Sequence, residues 1–82
     1  MTIEVTQEDI DAGIPHDNCY CPVAIAIKRV FPRRKPRVDF GAIRLGKKLY
    51  KMPPSVKKFV RFFDGHETGD AEPFSFELPV EA

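Results

Sequence analysis

Arg37 to Gly65 reads RVDFGAIRLGKKLYKMPPSVKKFVRFFDG, and its two halves carry different periodicities. In the first half Val38 alternates with Arg37 and Asp39, Phe40 continues the phase, and Ile43 and Leu45 flank Arg44. A period of two is that of a strand with one covered face. Gly41 shifts the phase, as a bulge or turn would. Gly46-Lys47 reads as a hairpin turn, followed by a β-like run from Lys48 to Met52. In the second half Pro53-Pro54-Ser55 announces a helix, and Val56, Phe59, Val60 and Phe63 follow the i, i+3, i+4, i+7 rule. Lys57, Lys58 and Arg61 fall on the opposite side, and Asp64-Gly65 ends the helix. Hairpin followed by amphipathic helix points to an α+β domain.

Upstream, Thr2 to Val5 alternates and predicts a short strand with Ile3 and Val5 inward. Thr6 suits an N-cap. Asp9 three residues later completes a variant of the capping box, and Gly13 closes a helix of about two turns. Ile14 to Tyr20 follows as a loop. Pro22 fits the first position of a second helix, where its missing N–H costs nothing. Val23, Ala26, Ile27 and Val30 form its inner stripe, Lys28 and Arg29 complement its dipole, and Pro32 stops it. The segment from Phe31 to Arg37 is an extended or turn-like basic connector. Downstream, Phe74, Phe76 and Leu78 alternate with polar residues after Pro73, which marks a strand start. The expected order is β-α-α-β-β-α-β over a single domain, residues 1–82, with a mainly antiparallel sheet and helices packed on one face. If the terminal strands pair beside the hairpin, Glu4 and Glu77 meet Arg44 or Lys48 across the sheet.

Charge is segregated along the chain. All 13 Lys and Arg lie between Lys28 and Arg61, where Asp39 is the only acid. Five acids precede this block and six follow it, and the formal net charge of +1 hides the separation. Lys and Arg neutralise phosphates and release counterions, which gives affinity for nucleic acid without regard to sequence. The candidate contacts are Arg33, Arg34, Lys35, Arg37, Arg44, Lys47, Lys48, Lys57 and Lys58, with Tyr50 as a stacking platform and Phe40 inside. The competing reading is a solvated face that the protein's own acids neutralise. Arg33 to Arg37 fits that alternative least well. No helix-turn-helix, zinc-finger or RNP signature accompanies the block.

The chain is poor in enzyme chemistry. It has no Gly-rich phosphate loop, no Gly-x-Ser-x-Gly and no His-Glu-x-x-His. Ser55 belongs to a helix start and Ser75 to a strand. The expectation is a non-enzymatic protein without a cofactor. His16, Cys19 and Cys21 bring an imidazole and two thiols close in sequence. Zinc knuckles, however, place two to four residues between thiols. A packed Cys21 is the preferred reading, and no metal is assigned. The longest unbroken apolar run, Val23 to Ile27, is far below the roughly 20 residues of a membrane span. Without an export signal at Met1, the expected compartment is a reducing cytoplasm. Nothing selects an oligomeric state.

Four stretches together resemble a family of small, functionally uncharacterised proteins encoded by bacteriophages and integrated mobile elements. They are Ile3-Glu-Val-Thr-x-Glu-Asp-Ile10-x-x-Gly13, Cys21-Pro-Val-Ala-Ile-Ala-Ile27, Tyr50-x-x-Pro53-x-x-Val56-x-x-Phe59-x-x-x-Phe63-Asp64-Gly65, and Pro73-Phe-x-Phe-x-Leu78. The resemblance implies an accessory protein acting inside a bacterial host cell. It would act by binding, either to nucleic acid or to a host protein such as one of the defence or nucleic-acid-handling machinery. It carries over no catalytic residue, and the Pro32–Pro36 connector is not part of the pattern.

Overall fold

The computed structural model describes residues 1–15, 17–39, 41–65 and 71–79. The chain runs β1 (Thr2–Val5), α1 (Gln7–Ala12), α2 (Pro22–Val30), β2 (Pro36–Asp39), β3 (Ala42–Leu45), β4 (Lys48–Lys51), α3 (Pro54–Asp64) and β5 (Phe74–Glu77). The α+β class is as expected. The order contains one strand more than expected, because Gly41, open to a bulge or a turn on its sequence, makes a turn. Its φ of 76° lies in the left-handed region that favours glycine. Asp39 is therefore paired with Ala42 across an antiparallel turn.

The strands form two sheets. β1 pairs antiparallel with β5, and β2-β3-β4 form a second antiparallel sheet in that order. The expected meeting of terminal acids with hairpin bases does not occur. Glu4 stands opposite Ser75 and Glu77 opposite Thr2, whereas Arg44 lies between Arg37 and Leu49, and Lys48 faces Leu45. α2 is the reason. It packs against both β1 and β2, so a helix rather than a backbone ladder joins the two sheets.

Each element buries the face its sequence marks. Ile3, Val5, Val23, Ile27, Ile43 and Leu45 are almost fully covered and belong to one continuous core with Val56, Phe76 and Leu78. Val30, placed in the inner stripe of α2 by its spacing, is instead exposed at the helix end. α3 docks on the β1–β5 sheet through aromatic rings. Phe59 lies 4.7 Å from Phe74 and 6.0 Å from Phe63, and Phe74 lies 6.0 Å from Phe76, centroid to centroid. Such pairs contribute about 0.5–1.5 kcal/mol each beyond their buried area.

Helix ends follow local chemistry. Thr6 accepts from the Asp9 N–H, and the Thr6 N–H donates to the Asp9 carboxylate at 2.9 Å, a full capping box. Gly13 caps α1 with extended backbone, so its role is space rather than conformation. A Cβ there would stand 2.5 Å from Cδ and Cγ of Pro22, the first residue of α2. At the start of α2 the Cys21 thiol accepts from the Ala24 N–H at 3.4 Å.

Candidate functional site

The basic connector is held by a turn built from its own residues. The Arg34 N–H donates to the Phe31 carbonyl at 3.0 Å, with Pro32 at the second turn position, where its fixed φ is favoured. The Arg34 guanidinium stands over the Phe31 ring, 5.4 Å from its centroid, while the ring itself rests on the core. Pro36 then begins β2, buried and paired with Leu45. A proline is tolerated there because β2 is an edge strand. The turn and the proline leave Arg33, Arg34 and Lys35 exposed at the mouth of the three-stranded sheet.

The second contribution comes from the β3–β4 hairpin. Gly46 turns the chain with φ of 59°, and no atom lies within 4 Å of where a Cβ would stand. The requirement for glycine is therefore conformational. The turn places Lys47 and Lys48 beside Arg44.

Connector and hairpin converge on an open groove of about 540 Å³ lined by Arg33, Arg34, Lys35, Arg37, Arg44, Lys47 and Lys48, with Leu45 and Gly46. All the charged residues among these are cations. A cleft lined by one sign of charge focuses field lines and raises the local concentration of counter-ions. Within it Arg37 and Arg44 are directly opposed cross-strand partners, and both are exposed. Like charges so placed destabilise a sheet.

The one acid of the basic block is engaged elsewhere. The Asn18 side-chain amide donates to the Asp39 carboxylate at 2.9 Å, and the Asn18 carbonyl accepts from the Val38 N–H at 2.9 Å. The loop before α2 thus covers the free edge of β2 and occupies Asp39 in the same contact. Among the described residues Arg29 is the Lys or Arg that forms an ion pair, and it is outside the groove. Its guanidinium forks onto Asp9, at 2.6 and 2.9 Å, and donates to the Glu4 carbonyl at 2.7 Å. A helix-dipole role, expected from its place near the end of α2, leaves out this bridge. Asp9 is only 2% exposed. Burial opposes its ionisation, but hydrogen bonds from Arg29 and Thr6 outweigh that and hold the carboxyl below its ordinary value.

The remaining candidates fall elsewhere. Lys57 and Lys58 are exposed on α3 and do not line the groove. Tyr50, expected as the stacking platform, is paired with the fully buried Ile43 and packs half-buried against the core. Strand alternation puts it on the inner face, opposite to Arg44. The residue that shares the outer row with Arg37 and Arg44 is Leu49, 63% exposed. The sequence signal for it is the two-residue turn Gly46-Lys47, which sets Arg44 opposite Leu49. Phe40 and His16 lie outside the described residues. Cys19 is exposed and Cys21 is buried, and no cluster of three metal-ligating side chains exists among the described residues. Among those residues no helix is long and apolar enough to cross a membrane.

Comparison with family models, with curated proteins and with solved structures finds no match to this chain.

Proposed function

We propose that this chain is a small, non-enzymatic binding protein of bacteriophage or mobile-element type, and that its basic groove engages the phosphates of nucleic acid inside the host cytoplasm. One observation carries the reading. Seven cations from two chain segments line one groove, and the sole acid of that region is hydrogen-bonded to Asn18 instead. A bare solvated face has no need to bring connector and hairpin together. An anion between Arg37 and Arg44 turns their mutual repulsion into a shared attraction.

Fluorescence anisotropy with labelled DNA and RNA at two salt concentrations tests it. Each phosphate contacted contributes about −0.7 (single strand) to −0.9 (duplex) to the slope of log affinity against log salt, so several contacts give a steep fall. Replacing Arg33, Arg34 and Lys35 by Gln is expected to flatten that slope, and replacing Lys57 and Lys58 to leave it nearly unchanged. Absence of binding to any DNA or RNA at low salt removes the proposal.

A second reading is favoured by Leu49. An exposed leucine in the outer row with Arg37 and Arg44 suits a protein surface that combines acidic and apolar groups. On this reading the chain is an inhibitor or adaptor of a host protein. A stoichiometric protein partner recovered from nuclease-treated host lysate, and lost with Leu49→Lys, supports it. Loss of every partner after nuclease counts against it.

A further inference from the structure

We infer that the groove takes the sugar–phosphate backbone of a single strand with its bases turned outward, so that it reads phosphate and not base. This rests on the nucleic-acid reading above and specifies its ligand. The polar side chains lining the groove are lysines and arginines, and the rest of its lining is Leu45 and Gly46. Among the described residues no aromatic ring lines it. Tyr50, paired with Ile43, packs half-buried against the core, and the Arg34 guanidinium stands over the Phe31 ring. A base entering the groove finds no aromatic ring among the described residues to stack on, whereas the main stacking platforms in single-strand binders are aromatic. A phosphodiester meets donors on several sides, including the opposed pair Arg37 and Arg44.

Shape selects the strand type. The groove is open and small, about 540 Å³. A flexible single strand can lay a few backbone atoms into such a concavity. A duplex carries its phosphates on a stiff convex rod, which touches the rim and leaves the interior unfilled.

The test compares three labelled probes of equal length at low salt by anisotropy: an oligothymidylate, the same backbone made abasic, and a duplex. The abasic strand is expected to bind within about threefold of the oligothymidylate, because loss of even one stacked base weakens binding about fivefold or more. The duplex is expected to bind more weakly than either. Arg37→Gln with Arg44→Gln is expected to weaken both single strands by the same factor. An abasic strand weakened fivefold or more overturns the inference while leaving the nucleic-acid reading in place, and so does a duplex that binds tightest. No binding of any probe overturns both.

Discussion

Arg37 stands directly across the β2–β3 ladder from Arg44, and neither side chain meets a carboxylate among the described residues. Sheets ordinarily place opposite charges, or none, at such positions. The pair is a local cost to folding that makes sense if a ligand carries the compensating charge. Arg44→Glu separates the two roles. It is expected to raise stability by about 0.5 kcal/mol, the scale of an exposed cross-strand ion pair. The same change is expected to lower affinity for anionic probes severalfold or more. A urea midpoint and an anisotropy titration on one preparation check both signs. A fall in stability together with unchanged binding would remove the argument.

The Asp9 carboxylate accepts from the Thr6 N–H and twice from Arg29. It closes the α1 capping box and receives the Arg29 fork. Asp9→Asn keeps the shape but weakens the charge-assisted bonds, and a loss of about 1–3 kcal/mol is expected. Arg29→Met leaves the buried carboxylate without its fork and costs about as much. Arg29→Lys recovers only part, because an ammonium cannot make the bidentate contact. Chemical denaturation of the three variants orders them.

Acid sensitivity follows from the same group. Asp9 titrates lower in the folded protein than in the unfolded chain, so the unfolded state binds the proton more readily. Its stabilisation is complete above the unfolded value of 3.8 and is lost as pH falls through the folded value. Glu77, held low by the Thr2 hydroxyl and then by the nearby amino terminus, adds a contribution of the same sign at the surface. Urea midpoints measured downward from about pH 5 are expected to decline, and Asp9→Asn is expected to decline less steeply.

Two glycines predict different penalties for one substitution. Gly13→Ala drives a Cβ into Pro22 at 2.5 Å and forces α1 and α2 apart, at about 1–3 kcal/mol. Gly46→Ala meets no neighbour and costs only the left-handed backbone, about 1–2 kcal/mol. The first change is expected to disturb near-native packing signals around Pro22. The second is expected to leave them intact while loosening the Lys47–Lys48 turn. Amide chemical shifts of the two variants distinguish these outcomes.

What the sequence made legible was local. The alternation of Ile3 and Val5, the Thr6–Asp9 box, Pro22 at a helix start and the Val56–Phe63 stripe each report on neighbours a few residues apart, and each is seen in the structure. Strand partnering was not legible, because several strands share the same alternating pattern and nothing local says which pairs with which. Gly41 leaves bulge and turn both open, because both interrupt the period-two phase. Of the candidate site, the connector and hairpin bases do meet, but proximity between Arg33 and Lys48 is a product of the tertiary fold. Tyr50 falls on the inner face and Leu49 on the outer one, because one step along a strand exchanges its faces.

The pairing of β1 with β5 has a temporal side. Thr2 and Glu77 are 75 residues apart, whereas β2, β3 and β4 are linked by short turns. The local meander can assemble early, but β1 has no ladder partner until the far end of the chain is present. At about 5–20 residues per second, β1 waits roughly 4–15 s during synthesis before β5 has been made. Closing so long a loop also places this ladder among the slower contacts to form. The basic groove, built entirely from the middle of the chain, can therefore acquire its shape before the domain as a whole is closed.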